Sequence, residues 1–227
     1  MSRAAAAMTE SGIRTQRIAV ARVLALIGFG GPVLYVALTI ALGLAWDGYD
    51  PIRQTQSELG AVDAPHAVVM NLAGFMGLGV TTLAFGFACV TLLRRSGMRT
   101  VAFGFLMFAG CGMIAVGFFP CDAGCVDVTR TGELHSVLSA PGAIGLPAAA
   151  MVSSRAFWAD GRFSTKWQVV SFWLGLLALV SGPVIALDVW ERGAGLLQRT
   201  AMWVPLGWMA AVSLRLRSLD DQGLSAA

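Results

Sequence analysis

The sequence predicts an all-α, polytopic membrane protein: a compact bundle of six transmembrane helices with a short helix at the outer interface. Three observations carry this. Of 227 residues, 56% are hydrophobic and only 13% are charged, about half the charge of an average soluble domain. Apolar runs of roughly 20 residues, the length that crosses about 30 Å of hydrocarbon, recur six times. The charges between those runs are biased by side. A soluble enzyme, a disordered chain and a nucleic-acid-binding domain are excluded, and nucleic acid is not an expected partner despite the net charge of +3.

Residues 1–17 read as a disordered cytoplasmic end, 18–217 as the transmembrane domain and 218–227 as a cytoplasmic tail. The first span, 23–45, is too long for the core of a signal peptide, which holds about 7–15 residues. Between it and the second span, 68–93, Asp50-Pro51 is a helix-start signature: a capping carboxylate, then proline in the first turn. Gly60 is the expected stop of that short outer helix. Spans three to six are placed at 101–119, 137–157, 169–189 and 196–214, the last interrupted early by Gln198 and Arg199. Small residues repeat every four positions as Gly145, Ala149 and Ser153 on the fourth, and as Ala178, Gly182 and Ala186 on the fifth. Such stripes let helices approach closely. Pro32, Pro141, Pro147, Pro183 and Pro205 lie inside spans. Trp46, Trp158, Trp167, Trp190 and Trp203 read as interfacial anchors.

With the N-terminus inside, 12 of the 16 Lys and Arg residues fall on the inner side, and nine of the 13 acidic residues fall outside. Both termini are therefore expected in the cytoplasm, in a bacterial inner membrane, with membrane lipids as partners.

Polar residues gather on the outer side. Ser57 and Glu58 belong to the short outer helix, and Asn71 lies one turn into the second span. Asp122 sits in the third-to-fourth loop, and His135 and Ser139 open the fourth span one turn apart on a shared face. Asp188 closes the fifth span, while Gln198 and Arg199 lie one turn into the sixth. Their convergence at similar depth predicts an outer-leaflet pocket in which His135, Ser139, Asp122 and Glu58 are candidate catalytic groups. Ser57, Asn71, Gln198 and Arg199 are candidate ligand-binding groups.

Cys89 and Cys111 fall within spans and are expected to pack as small hydrophobes. Cys121 and Cys125 face the oxidising side and are expected to form a disulfide; the alternative is a zinc site that they share with His135. A second metal alternative combines His66, His135 and Asp122. No motif names a cofactor.

Tyr49 to Gly60 with Ser57-Glu58-Leu59-Gly60, then Asn71, Gly117-x-x-Pro120-Cys121-Asp122, His135-x-x-x-Ser139 and Gly195-x-x-Gln198-Arg199 occur in this order. In these residues the chain resembles the six-helix prokaryotic membrane family known as domain of unknown function 998, over about residues 20–215. The resemblance implies a polytopic inner-membrane protein and brings no activity or catalytic residue with it.

Two functional readings stay open. In one, an enzyme acts on a lipid or apolar substrate at the outer leaflet, with His135 as base or metal ligand, Ser139 as nucleophile or hydrogen-bond donor, Glu58 or Asp122 orienting the imidazole, and Arg199 holding an anionic headgroup. In the other, the same rim binds without catalysis or supports another membrane protein. A transporter is disfavoured, because the middle and inner half of the spans lack charge. Substrate and oligomeric state are not legible in the sequence.

Overall fold

The computed structural model describes residues 3–186 and 190–219; Asp188 and the tail beyond residue 219 lie outside the described residues. Six long helices account for the architecture: α1 (Arg3–Leu44), α2 (Ala67–Leu92), α3 (Gly97–Val116), α4 (Arg130–Asp160), α5 (Thr165–Ala186) and α6 (Ala194–Arg217). No strand occurs among the described residues. Each helix packs on the next, and α6 returns to α1, so the bundle closes into a ring. Four of the six, within Gly12–Leu44, Ala67–Leu92, Gly97–Val116 and Arg130–Asp160, are long and apolar enough to cross a membrane. The chain is a multi-pass membrane protein with a compact helical bundle.

Apolar side chains cover the outside as well as the core. Val80, Phe108, Val137, Trp173 and Leu177 are each at least half exposed, a surface that only lipid solvates well. Inside, Leu206, Met209, Val212 and Leu216 form the buried stripe of α6. Trp208 meets Phe85 edge-on at 5.7 Å between ring centres.

Close crossings rest on missing side chains. A Cβ at Gly145 would lie 2.8 Å from the carbonyl oxygen of Phe105 on α3, and one at Gly79 would lie 2.6 Å from that of Gly110. The α4 stripe of Gly145, Ala149 and Ser153 is buried as expected. The α5 stripe is not used in the same way: Ala178 is fully buried, yet nothing lies within 4 Å of a Cβ at Gly182.

The N-terminal residues are helical from Arg3, consistent with the high helix propensity of the Ala4–Ala7 run. Two local expectations are corrected. The expected outer helix is two separate turns. Asp50 caps the first by accepting from the Ile52 N–H at 2.9 Å, and after a break at Thr55 a 3-10 turn spans Ser57–Gly60. Gly60 does not adopt the left-handed conformation of a helix stop. Its requirement is space, since a Cβ there would lie 2.7 Å from Asn71 Oδ1. Trp203 is an internal strut rather than an interfacial anchor, its indole N–H donating to Gln56 Oε1 at 2.7 Å.

Candidate functional site: the loop cap

The loop between α1 and α2 lies over one end of the bundle, and most of the residues singled out in the sequence hold it there. Glu58 Oε1 accepts from the Thr55 N–H at 2.7 Å and from its hydroxyl at 3.1 Å; Oε2 accepts from Gln54 Nε2 at 3.0 Å. This is the carboxylate half of a capping box, the side chain reaching back three residues to a backbone N–H, so the carboxylate is occupied by its own loop.

The start of α6 holds the same loop from the side. Gln198 Oε1 accepts from the backbone N–H groups of Gln56 and Ser57, and its amide donates to Ser57 Oγ at 3.1 Å. Arg199 is buried. Its guanidinium donates to the carbonyls of Pro51 (2.6 Å), Gln54 (2.9 Å) and Gly195 (3.0 Å), and to the Tyr49 hydroxyl at 2.7 Å. Tyr49 donates onward to the Thr55 carbonyl at 2.7 Å. Burial raises the Tyr49 phenol above its ordinary pKa, against the pull of Arg199, so it remains a neutral donor. A charged donor with this many acceptors is worth about 1.5–3 kcal/mol per hydrogen bond. Gly195 permits the approach, because a Cβ there would come within 2.6 Å of the Pro51 carbonyl.

The α3–α4 loop joins through a backbone hydrogen bond and is closed on itself by a disulfide. The Val62 N–H donates to the Cys121 carbonyl at 3.0 Å, and Cys121 is bonded to Cys125. Asp122 ties the loop to itself: Oδ2 accepts from the N–H groups of Val128 (2.9 Å) and Thr129 (2.7 Å), and Oδ1 from the Thr129 hydroxyl (2.8 Å). The Thr129 backbone bond first, and its hydroxyl next, hold the Asp122 carboxyl below the ordinary carboxylate range.

His135 and Ser139 share a face, but not as a base and nucleophile. Ser139 Oγ donates to the backbone carbonyl of His135 at 2.7 Å, one turn back along its own helix. His135 is 3% exposed, its Nδ1 lies 2.7 Å from the Phe119 carbonyl, and its ring meets Phe75 edge-on at 6.0 Å. Asn71 donates to the Gly60 carbonyl at 2.9 Å from within a π-helical segment, Met70–Met76, that interrupts α2. Among the described residues, three buried polar atoms in this cap find no partner: Gln56 Nε2, Asn71 Oδ1 and His135 Nε2.

The two metal expectations separate. His66 is an exposed residue at the start of α2. Among the described residues, the group able to hold a metal ion is Cys121, Cys125 and His135, with neither His66 nor Asp122 in it. Cys89 is buried as expected, whereas Cys111 is exposed on the bundle surface.

Sequence reading missed Gln56, Trp203 and Phe119, which act through a buried amide, an indole N–H and a backbone carbonyl. It also missed a knot at the opposite end. Asp160, fully buried, accepts from the Arg94 backbone N–H at 2.7 Å and pairs with Arg162 at 2.7 Å, while Arg162 also donates to the Leu92 carbonyl at 2.6 Å. The only sequence signal was an acidic residue among basic ones before a glycine, here Gly161 in the left-handed conformation.

No curated protein and no solved structure matches the chain. A family model described as protein of unknown function (DUF998) matches residues 29–215. With the helical bundle spanning that stretch, the chain belongs to the DUF998 family.

Proposed function

We propose that this is a multi-pass protein of the bacterial cytoplasmic membrane that binds an anionic lipid at its basic end, the end we assign to the inner leaflet. A single observation carries the reading. A cavity of about 1,080 Å³ between the N-terminal half of α1 and the α2–α3 turn is lined by Arg14, Arg17, Arg94 and Arg95, and by Arg99, whose Nη1 is held by the carbonyls of Val90 and Leu93. Ile13, Leu24 and Phe87 supply apolar walls, and no carboxylate lines it among the described residues. Clustered arginines beside apolar surface suit a phosphate-bearing headgroup with its acyl chains. The loop cap supports lipid processing less well, because Glu58, Asp122, Ser139 and Arg199 are committed to the chain itself.

The test is native mass spectrometry of the full chain with phosphatidylglycerol or phosphatidylcholine added in detergent. Phosphatidylglycerol should be retained preferentially. Arg17→Gln with Arg95→Gln should weaken retention roughly thirtyfold at low salt, taking about 1 kcal/mol per arginine. Equal retention of the two lipids, or no change in the double variant, would remove the reading.

A further inference from the structure

We propose that Cys121, Cys125 and His135 form a thiolate–imidazole site for a soft divalent cation such as Zn²⁺, closed while the two cysteines are joined and opened by reduction. The site lies at the loop cap and is independent of the basic cavity.

The first support is proximity. One ligand atom from each of the three residues lies within 4.8 Å of the other two. In a tetrahedral zinc site, metal–sulfur bonds of about 2.3 Å and metal–nitrogen bonds of about 2.0 Å set neighbouring ligand atoms roughly 3.5–3.8 Å apart. Parting the two sulfurs and a small shift of the imidazole would reach that arrangement.

The second support is His135. A carbonyl oxygen only accepts, so the Nδ1 contact with Phe119 at 2.7 Å places the ring proton on Nδ1. Nε2 then carries a lone pair, and it is buried with no donor among the described residues to meet it. Buried polar atoms rarely stay unpaired. An Nδ1–H bound to a backbone carbonyl is also the arrangement that orients metal-binding histidines. The closed disulfide offers Nε2 no proton; a cation between the three groups would give it a partner.

Access and coordination number follow. Cys121 and His135 are almost fully buried, but Cys125 is half-buried on the loop, so an ion would arrive from its side. No fourth His, Cys, Asp or Glu joins the group among the described residues. One position therefore stays open to water. The chemistry balances. A dithiol reductant delivers two electrons and two protons to the disulfide and itself becomes a disulfide. Metal binding then releases the two thiol protons, and the two thiolates neutralise the dication.

The test uses Co²⁺ on the full chain in detergent, before and after dithiothreitol treatment and removal of the reductant. The reduced protein should take up one Co²⁺ per chain, with a thiolate-to-cobalt charge-transfer band and tetrahedral visible bands. The oxidised protein should show neither. Cys121→Ser with Cys125→Ser should lose the charge-transfer band, whereas Cys89→Ala with Cys111→Ala should keep it. His135→Gln should weaken binding at least about tenfold. The proposal is overturned by a reduced wild type without the band, or by a band that survives in the double serine variant. It is equally overturned by the same Co²⁺ uptake in the oxidised protein, or by undiminished affinity in His135→Gln. The comparison of wild type in its two redox states decides even if a variant does not fold.

Discussion

Asp122 and Arg199 show how a side chain that looks like a site residue can serve the fold. Arg199 is bound mostly by backbone carbonyls and Asp122 largely by backbone N–H groups, partners with no side-chain signature. For Asp122 this has a measurable consequence. Its carboxyl is held below the ordinary range, so its contribution to stability is present above the unfolded value near 3.9 and is lost as pH falls through the lower folded value. Asp122→Asn should therefore lower the thermal midpoint at pH 7, and the gap from wild type should close below about pH 4. A gap that is constant from pH 7 to pH 3 would show that the carboxylate charge is not what holds the loop.

Among the helices, periodicity located the elements well but ranked their contacts poorly. Two small-residue stripes were visible, and only the one on α4 sits against a neighbouring backbone at its glycine. The difference lies in what faces it: Phe105 and Ala109 of α3 meet Gly145, while Gly182 meets open space. Gly145→Val should overpack the α3–α4 crossing and destabilise by about 1–3 kcal/mol. Gly182→Ala should leave the thermal midpoint unchanged or raised, because alanine favours helix over glycine by about 0.5–1 kcal/mol. Thermal unfolding of the two variants in detergent checks this; similar losses in both would mean that the α5 stripe is also a packing seam. The π segment in α2 had no signal in the sequence. It contains Asn71 and is closely approached by the residue that follows α3, since a Cβ at Gly117 would lie 2.7 Å from the Asn71 carbonyl.

For the molecule as a whole, the charge bias makes a prediction about sidedness. In a background with Cys89 and Cys111 replaced by alanine, Val62→Cys on the α1–α2 loop should react with a membrane-impermeant maleimide in intact cells. Ser218→Cys after α6 should react only once the membrane is opened. Both positions are exposed in the fold, so the reverse pattern would invert the topology.

Helix number, membrane class and the crowding of polar residues at one end were legible from the chain alone, because apolar length, composition and charge order are written along it. Folding decided which of those polar groups remained available. Ser57, Gln198 and Arg199 find hydrogen-bond partners across the cap, several of them backbone atoms far away in sequence, while Glu58 and Asp122 are held within their own loops. His135 Nε2 finds no partner among the described residues, and one nitrogen of that ring lies within 4.8 Å of both sulfurs. That outcome depends on how α2, α4 and α6 converge beneath the α1–α2 loop, and distances across helices are set by packing rather than by residue spacing.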